Sequence, residues 1–176
     1  AQLNSWIVNG REMVYEEMFW YRIGSGAEIP LSDVPITFEN ASDTNGNPGD
    51  DVLNVTYTQA GSFSAAVRWS VQGSPGCCSD LAEQVTVTNL GTTDLRFTLI
   101  EYTDFDLSND VDDNFAEFIS PTLFRQGDGA YIAETIVSPV DRWEISEYDD
   151  LRDRLEDGDM DMLANANTAS PGRLDY

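Results

Sequence analysis

The sequence predicts an all-β protein: an antiparallel β-sandwich of about eight to ten strands, with one short helix near the C-terminus. Segments rich in β-branched and aromatic residues recur along the chain, and clusters of Gly, Pro, Asn, Asp and Ser separate them. Several segments also alternate between apolar and polar residues. This spacing is typical of a sandwich or barrel, and we expect a jelly-roll-like arrangement. A chain of 176 residues is expected to form a single domain, residues 1–176.

The strand signals begin near the N-terminus. Asn9-Gly10 stands between two apolar runs and predicts a hairpin with a type I′ turn. The run EMFWYRI follows and predicts a strand, in which Phe19, Tyr21 and Ile23 share one face. Further strands are predicted at PITFEN, DVLNVTYTQ, SFSAAVRWSVQ, AEQVTVTNL, DLRFTLIEYTDFDL and GAYIAETIVS.

One helix is predicted within the segment SEYDDLRDRLEDG. Ser146 is the candidate N-cap, and the acidic residues that follow suit the positive end of the helix dipole. Leu151 and Leu155 lie four residues apart, so they share one face of the helix. Gly158 is a natural stop signal.

The charge balance excludes several classes of function. The chain has 32 Asp and Glu residues against 9 basic residues, all of them Arg, and it has no His, for a net charge of −23. Such a charge repels nucleic acids and anionic lipid surfaces. No apolar run approaches the roughly 18 residues that a membrane helix requires, so no membrane insertion is expected. The absence of His and Lys excludes His-based catalytic pairs and Schiff-base chemistry.

Two acidic loops predict bound calcium. The stretches DTNGNPGDD and DFDLSNDVDDN both place oxygen-bearing side chains at alternate positions. Ca²⁺ takes about six to eight oxygen ligands, and alternate residues of a tight turn can point inward together. The predicted ligands are Asp43, Asn45, Asn47, Asp50 and Asp51 in the first loop and Asp104, Asp106, Ser108, Asp110, Asp112 and Asp113 in the second. The alternative for each loop is a solvated polar turn.

A third acidic cluster, EDGDMDML, follows the predicted helix. Negative charges at a helix C-terminus are unfavourable, which favours either a compensating cation or a nearby arginine. Arg152 and Arg154 are the candidates for that arginine.

The two cysteines, Cys77 and Cys78, are adjacent in the sequence. An ordinary disulfide requires Cα atoms that are farther apart than those of neighbouring residues. Three alternatives stay open: a strained ring between the two, two free thiols, or bridges to other chains.

A carboxylate pair, as in glycoside hydrolysis, is the one catalytic arrangement that this composition permits. Glu16 and Glu17 lie among aromatic residues, but neighbours in a strand point to opposite faces and cannot act together. Glu101, Glu134 and Glu144 are further candidates. The aromatic content also suits a sugar-binding platform, although core packing explains it equally well. A carbohydrate-binding module or glycosidase, with polysaccharide as partner, is therefore the alternative function.

The segments FWYRIGSGAE, VTVTNLGTTDLRFTLIEYTDFDL and DGDMDMLANA together resemble a group of uncharacterised exported bacterial proteins. Many of those proteins end in the PEP-CTERM sorting signal. The corresponding residues are Phe19, Trp20, Tyr21, Arg22 and Gly24, then Tyr102, Asp104, Phe105, Asp106 and Leu107. The resemblance implies an extracellular or cell-surface β-protein and supplies no catalytic residues. We expect a member of the group without its signal peptide and sorting helix, either because they have been processed away or because this member is released or self-assembling.

We therefore expect a secreted, non-enzymatic structural protein of a filament, sheath or matrix, stabilised by calcium and assembled from copies of itself. An open sheet edge that accepts a strand from a neighbouring subunit would build such a polymer. The N-terminal segment AQLNSWIV is a candidate donor strand.

Overall fold

The structure is a computed structural model that describes residues 2–73, 76, 78–107, 115–127 and 131–168. It is mostly β, with several antiparallel sheets and one helix near the C-terminus, so the predicted all-β, sandwich-like class is confirmed. The strands are β1 Gln2–Leu3, β2 Ile7–Val8, β3 Arg11–Glu12, β4 Glu16–Ile23, β5 Ile29–Pro30, β6 Ile36–Ser42, β7 Val52–Gln59, β8 Phe63–Gly73, β9 Ser79–Asn89, β10 Phe97–Asp104, β11 Phe115–Ser120, β12 Leu123–Gly127, β13 Ile132–Ile136, β14 Glu144–Ile145 and β15 Ala166–Asn167. The helix α1 is Tyr148–Glu156. The jelly-roll arrangement stays a prediction.

The chain divides into two compact units. The first, which we call the sheet unit, comprises residues 30–97. The second, the helix unit, comprises residues 2–29 together with the chain from residue 98 onward. That the whole chain folds as one domain stays a prediction.

The sheet unit is built on four antiparallel strands in the order β6–β7–β8–β9. The central pairs β7–β8 and β8–β9 show no register shift, whereas β6 contains an irregularity between Ile36 and Phe38. Alternation along the strands gives the sheet one apolar face and one polar face. The buried members of the apolar face are Val55, Tyr57, Phe63, Ala65, Val67 and Trp69.

The helix unit contains the sheet β1–β4–β10, on which the helix packs. Leu151 and Leu155 of α1 contact Met18 and Trp20 of β4 and Tyr102 of β10, as their four-residue spacing predicts. Residues 16–21 are all buried, so both faces of β4 are covered. This explains why β4 is an unbroken run of large side chains.

The ends of α1 match the sequence only in part. Gly158 has a positive φ of 83°, as expected for the residue that follows a helix C-cap. The N-cap prediction is wrong by one residue: Glu147 is the N-cap, it makes no side-chain capping bond, and Ser146 is buried before it.

The predicted hairpin at Asn9-Gly10 is confirmed. Both turn residues have positive φ, 52° and 78°, and Val8 pairs with Arg11 across them, which is the geometry of a type I′ turn. The N-terminal segment is engaged within its own chain, because β1 pairs with residues 17 and 18 of β4. The expected donor strand is therefore already paired here.

Three further strands form the antiparallel meander β11–β12–β13. The hairpin β11–β12 is absent from the sequence prediction, which found only β13 in this region. A Cβ atom at Gly127 in β12 would lie 2.7 Å from the ring of Phe115, so a larger residue there would displace that ring. The aromatic ring thus covers a glycine on the paired strand, a known way to hold register.

Candidate functional site

The first predicted calcium loop, residues 43–51, connects β6 to β7 and is closed by its own hydrogen bonds. The Asp43 carboxylate accepts hydrogen bonds from the backbone N–H groups of Asn45 and Gly46 at 3.0 and 2.7 Å. The Asn45 side-chain oxygen accepts a bond from the N–H of Asn47 at 2.8 Å. These are the contacts of successive Asx turns, in which oxygens at alternate positions serve the backbone.

Asp51 closes the same loop from its far end. Its carboxylate accepts bonds from the Thr44 N–H at 2.6 Å and the Thr44 hydroxyl at 2.7 Å, and a third from Asn45 Nδ2 at 3.1 Å. The Thr44 hydroxyl, followed by its N–H, lowers the pKa of Asp51 below the ordinary value. Asp50 is exposed. The loop thus holds its oxygens close together through protein donors.

The second predicted calcium cluster is described only at its start. Asp104 is buried at the end of β10 and Asp106 is half-buried, whereas Ser108, Asp110, Asp112 and Asp113 lie outside the described residues. Between the two aspartates, the Phe105 carbonyl accepts a 2.7 Å bond from Gln126 Nε2, whose side chain is fully buried. In the described part of the chain, no three Asp, Glu or Cys side chains are grouped to hold a metal ion.

Asp106 lines a cleft of about 410 Å³ in the helix unit. The cleft is bordered by Asn4, Glu12, Val14, Tyr15, Glu16, Asp106 and Arg152. Glu12 accepts bonds from the Ser5 hydroxyl at 2.7 Å and from the Trp6 N–H at 2.6 Å, and these contacts lower its pKa.

Arginines pair with two of the candidate carboxylates, Glu16 and Glu144. Glu16 accepts a 3.0 Å bond from Arg152 Nη1 and a further bond from Gln2. Glu144 pairs with Arg154 at 2.8 Å and also accepts the N–H of Ala164 at 2.9 Å. Glu144 of β14 therefore contacts both α1 and the segment that follows it, so its role is structural.

The third acidic cluster is held by an arginine that the sequence prediction did not name. Arg22 Nη1 lies 2.6 Å from Glu28 Oε1 and also donates to the Asp161 carbonyl. The Asp161 N–H donates to Glu28 Oε2 at 3.2 Å. Burial, followed by the charge of Asp157, raises the pKa of Asp161 above its ordinary value. Of the two predicted arginines, Arg152 pairs with the first residue of the cluster, Glu156, at 3.1 Å.

The outer face of the meander β11–β13 carries several exposed apolar side chains around a charged centre. The exposed apolar residues of the meander are Phe115 at 41%, Ile119 at 44%, Ile132 at 64% and Ile136 at 80%. At its centre, Arg125 of β12 bridges Glu117 at 3.2 Å and Glu134 at 2.8 Å. The Glu134 bond, as the largest cause, raises the pKa of Arg125. We call this surface the meander face.

All three alternatives for the cysteines stay predictions. Cys78 is exposed just before β9, and Cys77 lies outside the described residues.

The fold places the chain among all-β, sandwich-like proteins. Comparison with protein-family models, curated proteins and solved structures found no match. The resemblance to exported bacterial proteins therefore stays an expectation. None of the helices in the described ranges is long and apolar enough to cross a membrane.

Proposed function

We propose that the protein is a secreted, non-enzymatic structural protein that assembles with copies of itself at a cell surface or in an extracellular matrix. The observation that carries this proposal is the meander face. Soluble proteins seldom leave several large apolar side chains exposed on one face unless that face binds something.

The two edges of the meander support a chain of copies. In β13, Ile132 and Ile136 lie on the two sides of Glu134, and in β11, Phe115 lies beside Glu117, with Ile119 at the register irregularity that follows. If β13 of one copy paired with β11 of the next, the sheet would continue and the apolar side chains would lie side by side. Such a head-to-tail contact does not close on itself, so it builds a filament.

Charge sets the conditions for this assembly. A net charge of −23 drives copies apart, so added salt is expected to strengthen association by screening the repulsion. We also propose calcium as a counter-ion at the predicted loops. Beside Asp104 and Asp106, the buried Gln126 Oε1 has no hydrogen-bond partner among the described residues and offers one more oxygen.

The two glutamates that line the cleft, Glu12 and Glu16, support a non-enzymatic role. A glycosidase needs one carboxylic acid with a raised pKa as its proton donor. In the cleft, hydrogen bonds lower the pKa of Glu12 and Arg152 pairs with Glu16.

The test is the size of the purified protein as salt and calcium are raised. We expect assemblies in sedimentation velocity and ordered polymers in electron microscopy at high ionic strength, with or without Ca²⁺. Replacing Ile132 and Ile136 together by Glu should abolish them. The matched control is Ile7→Glu in the β2–β3 hairpin, because Ile7 is about as exposed as Ile132, 63% against 64%.

Two results would overturn the proposal. One is a monomeric wild type under every salt and calcium condition. The other is assembly by the Ile132 and Ile136 double variant that equals assembly by the control.

A further inference from the structure

We propose that the polar face of the sheet β6–β9 binds a neutral, extended polysaccharide along a row of planar polar side chains. The row consists of one residue from each strand: Asn40, Asn54, Arg68 and Gln84. This inference concerns the sheet unit and is independent of the self-assembly proposed for the meander face.

The strand register places these four side chains next to one another. Asn40 pairs with Asn54, Asn54 with Arg68, and Arg68 with Gln84. Neighbouring strands lie about 4.8 Å apart, so the row extends roughly 14 Å across the sheet. Three of the four residues are exposed and Asn54 is half-buried. The row therefore offers a linear ligand a continuous series of hydrogen-bonding groups.

The adjacent rows are compatible with a sugar chain lying on the face. In the next row, Thr56 and Thr86 flank the small side chain of Ala66, and Phe38 ends the row with 55% of its surface exposed. A ring exposed at the end of a polar row can stack on the apolar face of a sugar. The third row continues the hydroxyl pattern with Thr58, Ser64 and Thr88.

Charge on this face selects the class of ligand. Among the described side chains of the three rows there is no carboxylate, and Arg68 is the one charged group, although the chain carries 32 acidic residues. The net charge of −23 repels anionic polymers, and three rows without a carboxylate offer no charged partner to a basic ligand, since Asp80 lies on the same face but beyond them. Amide groups both donate and accept hydrogen bonds, as sugar hydroxyls do. A neutral polyhydroxylated chain is the partner that matches.

The face is also held rigid before any ligand arrives. β8 pairs with both neighbours without a register shift, and its inward side chains are buried. Arg68 Nη1 donates to the Ser70 hydroxyl at 3.2 Å, and the hydroxyls of Thr37 and Thr58 lie 2.8 Å apart. A preformed surface loses little conformational entropy when it binds.

The experiment measures retention of the full chain on insoluble cellulose, on chitin and on an insoluble β-glucan, with cross-linked polygalacturonate as the anionic polymer. We expect wild-type protein to bind at least one neutral polymer and not the anionic one. The double variant Arg68→Ala with Gln84→Ala should lose at least ten-fold in affinity. The matched control is Arg96→Ala, an exposed arginine of the same unit outside the three rows.

A second variant covers the case in which the double variant unfolds. Gln84→Glu is nearly isosteric at an exposed position and places a carboxylate beside Arg68, so it should weaken binding while leaving the thermal midpoint unchanged. Absence of binding to all three neutral polymers would overturn the proposal. So would stronger retention on polygalacturonate, or equal affinity in the wild type and the row variants.

Discussion

Two acidic segments that look alike in the sequence have opposite electrostatics in the structure. In the loop of residues 43–51, the Asp51 carboxylate accepts three hydrogen bonds from Thr44 and Asn45, and its pKa is lowered. In residues 157–161, Asp161 is half-buried near Asp157, and its pKa is raised. In the described chain, Asp161 Oδ2 also has no hydrogen-bond partner.

The difference shows what the spacing of acidic residues leaves open. In residues 43–51, carboxylates accept hydrogen bonds from the N–H and hydroxyl groups of their own turn. A loop of this kind folds with its carboxylates ionised. The segment 157–161 is instead held by the distant pair Arg22 and Glu28, which buries one of its carboxylates. Hydrogen-bond donors around a carboxylate lower its pKa, and burial raises it. The number of acidic residues in a segment does not by itself set the direction of the shift.

The largest effect is expected where the distant arginine is removed. Glu28 has no exposed side-chain surface and Arg22 has 14%, so Arg22→Ala leaves a buried carboxylate without its cation. Breaking a buried pair in this way costs about 3–5 kcal/mol. Urea unfolding should show this loss, and hydrogen exchange at the Asp161 amide should accelerate. Residues 43–51 should exchange as in the wild type.

Arg142→Ala is the matched control for that variant. Arg142 is exposed and reaches the same C-terminal segment through the Leu163 carbonyl at 3.4 Å. An exposed contact of this kind should change stability by about 0.5 kcal/mol or less. If the two arginine variants were equally stable, the pair of Arg22 and Glu28 would not be what holds the segment.

A smaller effect of opposite sign is expected at Asp161. Its folded pKa lies above the ordinary value of 3.8, so its contribution to stability is complete below that value and is lost as pH rises through the raised pKa. Asp161→Asn should therefore stabilise the protein at pH 7 by about 0.5 kcal/mol after solvent screening. The gain should shrink as the pH falls towards 4.

Thermal unfolding between pH 4 and pH 7 measures this effect. Asp141→Asn, at an exposed position outside this cluster, is the control and should show no pH-dependent gain. A gain at Asp161 that stayed constant with pH would mean that the charge of Asp161 is not the cause.

Local patterns predict several elements of this fold and the local ion pair of Arg152 with Glu156, and they fail for its distant ion pairs. Asn9-Gly10 and the spacing of Leu151 and Leu155 are signals within a few residues, and both are confirmed. The contacts of Arg22 with Asp161, 139 residues apart, depend on how strands and helix pack, and no local pattern encodes them. The sequence also could not predict the polar row through Asn54. Alternation shows which residues share a face of the sheet, whereas the strand register decides which of them are neighbours.

The smallest effect is expected in the loop of residues 43–51, whose own donors form hydrogen bonds with its carboxylates. The lowered pKa of Asp51 contributes stability above its ordinary value of 3.8, and this contribution is lost as pH falls through the lowered pKa. Thr44→Val removes the hydroxyl donor, so the pKa of Asp51 should rise back towards the ordinary value in an NMR titration of the carboxyl carbon. Thr92→Val, at an exposed turn position, should leave it unchanged.

The same spectra decide between protein donors and calcium in this loop. If Ca²⁺ binds here, the carboxyl signals of Asp43 and Asp51 should shift saturably on its addition, and the carboxylates must give up hydrogen bonds to Thr44 and Asn45 to reach the ion. Thr44→Val would then bind calcium more tightly than the wild type, because one competing donor is gone. If the carboxyl signals of neither protein respond to millimolar Ca²⁺, calcium does not bind this loop. The backbone and hydroxyl donors alone then account for the clustering of its carboxylates.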